Sequence, residues 1–213
     1  MNLTPEWLGR VAYADGLQRQ RARRDAVLAG AAGEAFWLLE HDAVVTVGRR
    51  EAAGVNGAHL EAAGVEVVRT ERGGLATWHG PGQLVGYLIV DCGRRGWSIR
   101  GFVRALEGGV IRWLASVGVA AHRRSGHPGV WVEDEKLCAL GLHFRRGVSL
   151  HGFALNLDPP ANAFEGIIPC GLVVGRPGSV FSVSGRRFSS ASVALQVGAA
   201  VWDTVVDEAG HGR

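Results

Sequence analysis

Three short segments hold side chains that can do chemistry. The first runs Arg72-Gly73-Gly74-Leu75-Ala76-Thr77-Trp78-His79-Gly80-Pro81-Gly82-Gln83. Its glycines and proline around one histidine exclude a regular helix. They suit a loop whose backbone passes close to a ligand, with N–H groups free to bind it. The second, Lys136-Leu137-Cys138-Ala139-Leu140-Gly141, sets a lysine at the start of an apolar strand. The third, Pro169-Cys170-Gly171, fixes a cysteine between a rigid residue and a permissive one. These residue types offer thiol chemistry, in which the thiolate is the nucleophile and a nearby ammonium favours it. Each has an ordinary reading too: a cysteine is a small buried hydrophobe, a strand-start lysine faces water, and His79 can be structural. Cys138 rivals Cys170 because it sits nearer Lys136 in sequence, although its neighbours Leu137, Ala139 and Leu140 look like core.

Other chemistries are excluded by pattern. Gly80-Pro81-Gly82 with Gly86 misses the dinucleotide fingerprint, because the last glycine falls one place late and the context is a strand. No GxxxxGK[ST] phosphate loop, HExxH helix or GxSxG elbow occurs. Cys92, Cys138 and Cys170 are spaced too widely for paired CxxC metal ligation and suit a reducing cytoplasm. No signal peptide opens the chain, and the densest apolar run, residues 84–90, falls well short of the ~20 needed to cross a bilayer. A net charge of +3 is too mild for a dedicated nucleic-acid binder. Arg19, Arg21, Arg23 and Arg24 crowd one segment and Arg145 and Arg146 another, as a solvated face or a docking surface for an acidic protein.

The elements that must position these segments follow from periodicity. Residues 15–29 read as a basic, weakly amphipathic helix. Residues 35–40, 43–47, 65–70 and 83–90 read as strands. Ile99, Phe102, Val103, Leu106, Val110, Trp113, Leu114 and Val117 recur at spacings of three and four, which predicts a helix capped by Ser98 and stopped at Gly118. Residues 129–132, 137–144 and 150–157 read as an antiparallel meander, and a last helix starts near Ser192. Strand runs with a few helices, without regular alternation, predict an α+β fold. One domain, residues 1–213, is expected, with room for a small subdomain after Cys170.

In combination the segments closely resemble the lipoyl(octanoyl) transferase family. The likeness covers most of the chain: a histidine, strand and glycine at 41–48, RGG…T.HGPGQLV.Y at 72–87, K…A.G at 136–141, HG.ALN at 151–156 and PCG at 169–171. It implies a mixed sheet flanked by helices, like the catalytic domain of biotin and lipoate–protein ligases, around an acyl-binding tunnel. It implies that Cys170 accepts the acyl group and that Lys136 is its partner. Arg72, Gly73, Gly74, Leu75, Ala76, Thr77, Trp78 and His79 match the family's substrate-binding segments, as do Ala139, Leu140 and Gly141, and Gly152, Phe153 and Ala154. Two departures bear on pocket shape: Asp42, Ala43 and Val45 replace the Pro-Pro and tyrosine often found after the histidine, and Leu88 stands where a proline often follows the tyrosine.

The resemblance further implies octanoyl-acyl carrier protein as donor. Lipoyl domains of 2-oxoacid dehydrogenases and the glycine cleavage H protein are the implied acceptors. No cofactor, metal, nucleic acid or membrane takes part, and the setting is cytoplasmic. On this reading Lys136, with help from His79, takes up the proton of the attacking amine, and backbone N–H groups near Leu140 and Gly141 or in the glycine-rich loop hold the oxyanion. Leu75, Trp78 and Tyr87 set tunnel depth. An ATP-dependent lipoate–protein ligase would need the lysine but not a cysteine in a PCG setting. A non-catalytic binder would have no use for Lys136, His79 and Cys170 together, and a repressor would need a helix-turn-helix.

Overall fold

The computed structural model describes residues 3–49, 55–167 and 175–210. In chain order the elements are β1 (Glu6–Val11), α1 (Tyr13–Leu28), β2 (Ala35–His41), β3 (Val44–Val47), α2 (Gly57–Ala62), β4 (Glu66–Arg69), β5 (Ala76–His79) and β6 (Gln83–Ile89). Then come α3 (Cys92–Arg95), α4 (Ile99–Ser116), β7 (His122–Arg124), β8 (His127–Val132), β9 (Glu135–Arg145) and β10 (Val148–Asn156). The chain closes with β11 (Arg176–Pro177), α5 (Val180–Ser184) and α6 (Ser190–Glu208).

β2 and β6 are buried at nearly every position, which suits strands covered on both faces. Alternation divides their side chains. Phe36, Leu38, Leu84 and Leu88 face a cluster completed by Phe102, Leu106 and Val110 of α4 and by Val197 and Val201 of α6. Trp37, Leu39, Val85, Tyr87 and Ile89 face the other way, with Val27 of α1. The large sheet runs β1-β2-β6-β10-β9-β8-β7, with β11 added beside β9. β1–β2 and β9–β11 are parallel and the other neighbours antiparallel. A small sheet, β4-β3-β5, stands apart and packs through Val45, Val47, Ala76 and Trp78 onto Leu60 of α2. The fold is α+β with a mixed sheet flanked by helices, as expected.

The antiparallel meander β8-β9-β10 is present. So is the α4 cap, where the Ser98 hydroxyl accepts from Gly101 N at 3.0 Å. Other expectations are corrected. The segment 72–83 is not all loop: Ala76–His79 pairs with β3, because Thr77 and Trp78 favour strand once the flanking glycines turn the chain. The C-terminal helix does not stand apart as a subdomain, since α6 packs on α4, β1 and β2. Nor are the arginines of α1 all left to solvent: Arg21 forks onto Glu71, Arg24 binds Asp25 and Arg23 lies over the Trp37 ring.

Candidate active site

A half-open cavity lies where the small sheet leans on the large one, with about 460 Å³ of space not filled by atoms, its mouth included. Arg72 and Gly74 of the glycine loop, Thr77 and His79 of β5, Val85 and Tyr87 of β6, and Tyr13 of α1 line it. Ala139, Leu140 and Gly141 of β9 and His151, Gly152, Phe153 and Ala154 of β10 form its remaining wall. The three sequence segments marked for substrate binding therefore meet around one space. Gly73 and Leu75 are not among its lining residues, and β5 alternation turns Ala76 and Trp78 to the opposite side, into the small-sheet core. Trp78 thus does not set the depth of this cavity, whereas Tyr87 lines it.

A continuous hydrogen-bond chain supports the floor. Arg72 is 6% exposed, and its guanidinium donates to the Thr46 hydroxyl from Nε (3.0 Å) and Nη2 (2.9 Å). It also donates to the Thr46 carbonyl (2.6 Å) and the Gly73 carbonyl (2.9 Å). Gln83 Nε2 donates to Trp78 O (3.1 Å) and Asn156 Oδ1 (2.9 Å), so its Oε1 is the end that accepts from His79 Nδ1 at 2.8 Å. That fixes the tautomer and leaves His79 Nε2 as acceptor for the Thr46 hydroxyl at 3.3 Å. Burial, with the nearby His41 and Arg72, holds the His79 pKa well below its usual value. Both ring nitrogens are engaged, so His79 braces the loop and has no free nitrogen for a substrate proton, which corrects the expectation that it helps Lys136.

Two further histidines adjoin the cavity. His41 donates from Nδ1 to Val11 O (2.6 Å) and accepts the Tyr87 hydroxyl at Nε2 (2.7 Å), with burial lowering its pKa. His151 holds a left-handed backbone, φ 62°, inside a strand, and its N–H donates to Gln20 Oε1 of α1 at 2.8 Å. Its ring is buried with Nε2 unpartnered, and burial pushes its pKa down to about 4. Tyr13, Gln20 and Thr46 carry no motif signal; only tertiary packing brings them here. The family departures touch the cavity little: Asp42 and Ala43 are exposed, and Leu88 is buried on the opposite face of the sheet.

Lys136 begins the same strand whose Ala139, Leu140 and Gly141 form the cavity wall, but it is not itself among the lining residues. Its Nζ sits 5.3 Å from the Trp131 ring centroid. Cys138 is fully buried, and burial raises its pKa to about 12 despite the pull of Lys136, which removes it as a rival nucleophile. Cys170 lies outside the described residues. The Leu142 carbonyl accepts from Gly73 N at 2.9 Å, so its polar backbone groups point away from β10. Antiparallel alternation gives Leu140 the same direction, towards the glycine loop, and turns the Gly141 N–H onto β10. Among the described residues no group of three or more His, Cys, Asp or Glu is placed to hold a metal ion. No helix is long and apolar enough to cross a membrane.

Residues 12–201 match the family model of the lipoyl protein ligase A/B catalytic domain. A protein of Novosphingobium aromaticivorans named octanoyltransferase is 42% identical over 167 residues, covering 76% of this chain and 73% of its own. Among solved structures, a lipoate–protein ligase A bound with ATP superposes with a TM-score of 0.74 at 16% identity, over 97% of this chain and 86% of that one. A biotin protein ligase from Aquifex aeolicus gives a TM-score of 0.54 at 11% identity, over 97% of this chain and 71% of that one.

Proposed function

Because this chain belongs to the octanoyltransferases of the lipoyl protein ligase A/B catalytic domain family, we propose that it carries octanoyl from octanoyl-acyl carrier protein to a lysine of lipoyl domains through a thioester on Cys170. The acceptors are the lipoyl domains of 2-oxoacid dehydrogenases and the glycine cleavage H protein, in the cytoplasm. One observation carries the reading: β9 sets Lys136 and the cavity wall on a single strand. Pro177, seven places after Cys170 in the chain, pairs with that same lysine.

A free cysteine has a pKa of about 8.5, so only a few per cent is thiolate near neutrality. The Lys136 ammonium favours the thiolate. Cys170 Sγ attacks the octanoyl carbonyl, a new S–C bond forms, and the carrier's C–S bond breaks. The departing carrier thiol takes the proton that Cys170 lost. The acyl chain lies along Val85, Ala139, Leu140, Phe153 and Ala154, whose apolar surfaces exclude water from it. The Leu140 N–H, on the side of β9 away from β10, is the donor we assign to the developing oxyanion. The acceptor lysine's amine then attacks; its N–C bond forms, the C–Sγ bond breaks, and Lys136 relays the amine proton back to Cys170. The donor is already a thioester, so no ATP is consumed.

The test is transfer from octanoyl-acyl carrier protein to an apo lipoyl domain without ATP, in wild type, Cys170→Ala and Lys136→Ala. Wild type transfers the group and Cys170→Ala does not. Wild-type turnover by Cys170→Ala would overturn the mechanism, and transfer that requires ATP and free octanoate would make the protein a ligase.

A further inference from the structure

Lys136 is held in place by packing. Gly129 of β8 has φ 137°, a conformation only glycine adopts without strain. A Cβ there would lie 2.4 Å from Lys136 Cε and 2.6 Å from the Cys138 carbonyl oxygen, so the lysine stem lies flat across the bare glycine. The Trp131 ring, fully buried and tied through Nε1 to His127 O at 3.1 Å, is the ammonium's other neighbour. Among the described residues no carboxylate pairs with Lys136 within 4.0 Å. The charge is located but not spent.

What holds Gly129 is a carboxylate. Glu107 of α4 is 5% exposed, on the helix face that also buries Val110 and Leu114. Its Oε1 accepts from Gly129 N at 2.8 Å, and its Oε2 lies 3.3 Å from Arg123 Nε. A charge buried in an apolar helix face is costly unless its oxygens are engaged. Here one oxygen is committed to a single backbone N–H, that of the glycine under the lysine. The structure assigns Glu107 and Gly129 as positioning residues for the Lys136 ammonium, reaching it through the backbone of β8 without touching substrate. This rests on the proposed pairing of Lys136 with Cys170. A loosened stem would spread the ammonium over several rotamers and dilute its effect on the thiol.

The experiment follows Cys170 iodoacetamide alkylation against pH, together with kcat and KM, in Glu107→Ala, Glu107→Gln, Gly129→Ala and Lys136→Ala. Glu107→Ala and Gly129→Ala should each raise the pH midpoint of Cys170 alkylation by about one unit, a tenfold loss of thiolate at neutral pH, and lower kcat about tenfold with KM little changed. Glu107→Gln, which keeps an oxygen for the Gly129 N–H, should return to within about threefold of wild type. In a Lys136→Ala background, Glu107→Ala should leave the alkylation midpoint where Lys136→Ala alone puts it, a result that general loosening would not give. If Glu107→Ala does not fold, Glu107→Asp, with its carboxylate drawn back, takes its place. A wild-type midpoint and kcat in folded Glu107→Ala or Glu107→Asp, while Lys136→Ala shifts both, would overturn this inference alone. An unshifted midpoint in Lys136→Ala itself would overturn the Cys170–Lys136 reading and the inference with it.

Discussion

Thr46→Val isolates the anchor of the buried guanidinium. Thr46 is fully buried, and its hydroxyl accepts from Arg72 Nε and Nη2 while facing His79 Nε2. Valine has nearly the same shape, so no cavity opens and the change removes one polar atom. Arg72 Nη2 keeps the Thr46 carbonyl and Nη1 the Gly73 carbonyl, so the whole guanidinium is not stranded. What is lost is an acceptor for a charged donor, worth about 1.5–3 kcal/mol, and a donor to a buried ring nitrogen, worth about 1 kcal/mol. The sum is a loss of roughly 2–4 kcal/mol. For a chain of this size each kcal/mol moves Tm by about 2–4 °C, so the melting point should fall by about 4–16 °C. Urea titration should show a lower midpoint at unchanged m. Thr46→Ser keeps the hydroxyl and should cost only about 1 kcal/mol, for the lost methyl. Stability of Thr46→Val within 0.5 kcal/mol of wild type, or Thr46→Ser falling as far as Thr46→Val, would refute the anchoring role.

Three more outcomes follow from the same structure. Cys92 and Cys138 are buried with pKa values raised to about 12 by desolvation, so both should resist iodoacetamide at pH 8 until urea unfolds the chain; native-state labelling of either, mapped by peptide mass, would contradict their burial. Gly152→Ala puts a Cβ 2.2 Å from the Gly86 carbonyl oxygen, forcing β10 off β6 at the cavity wall, and should lower stability by about 1–3 kcal/mol in urea titration, with acyl transfer falling more than stability alone explains. His151 has a folded pKa of about 4 against 6.5 for the free ring, so the unfolded chain takes up the proton first. Stability is therefore fully present above about pH 6.5 and drains away by roughly 3 kcal/mol as pH falls to about 4. His151→Asn, which tolerates the left-handed backbone, should make that dependence shallower between pH 6.5 and 4.5 while His41, His79 and His143, all lowered in the fold, keep the remainder, above the window in which Glu71, held down at about 2, begins to contribute.

Elements with a strong period were legible in the sequence. The spacing of Phe102, Leu106, Val110 and Trp113 and the Ser98 cap placed α4 within a residue of its ends. The apolar runs of β2 and β6 read as strands because they are buried on both faces. β5 did not, since four residues between a double glycine and Gly-Pro-Gly carry too little pattern to outweigh their flanks. β1 was missed as well, with Gly9 at φ 74° breaking its run. Motif spacing brought the glycine loop, β9 and β10 to one cavity, but the side chain directions of Ala76 and Trp78 depended on the unseen β5 pleat. Thr46, Tyr13 and Gln20 could not be read in advance, because each acts through a partner far along the chain. The saturation of His79 was hidden for the same reason: it depends on the Gln83 amide, oriented in turn by Asn156.

The proposed chemistry turns on a covalent octanoyl group on Cys170. Intact-mass spectrometry after mixing the protein with octanoyl-acyl carrier protein, without ATP, tests it most directly. Wild type should gain one octanoyl group, removed by hydroxylamine, mapping to the Cys170 peptide and absent from Cys170→Ala. No adduct on wild type, with acceptor acylation appearing only when ATP and free octanoate are supplied, would contradict it.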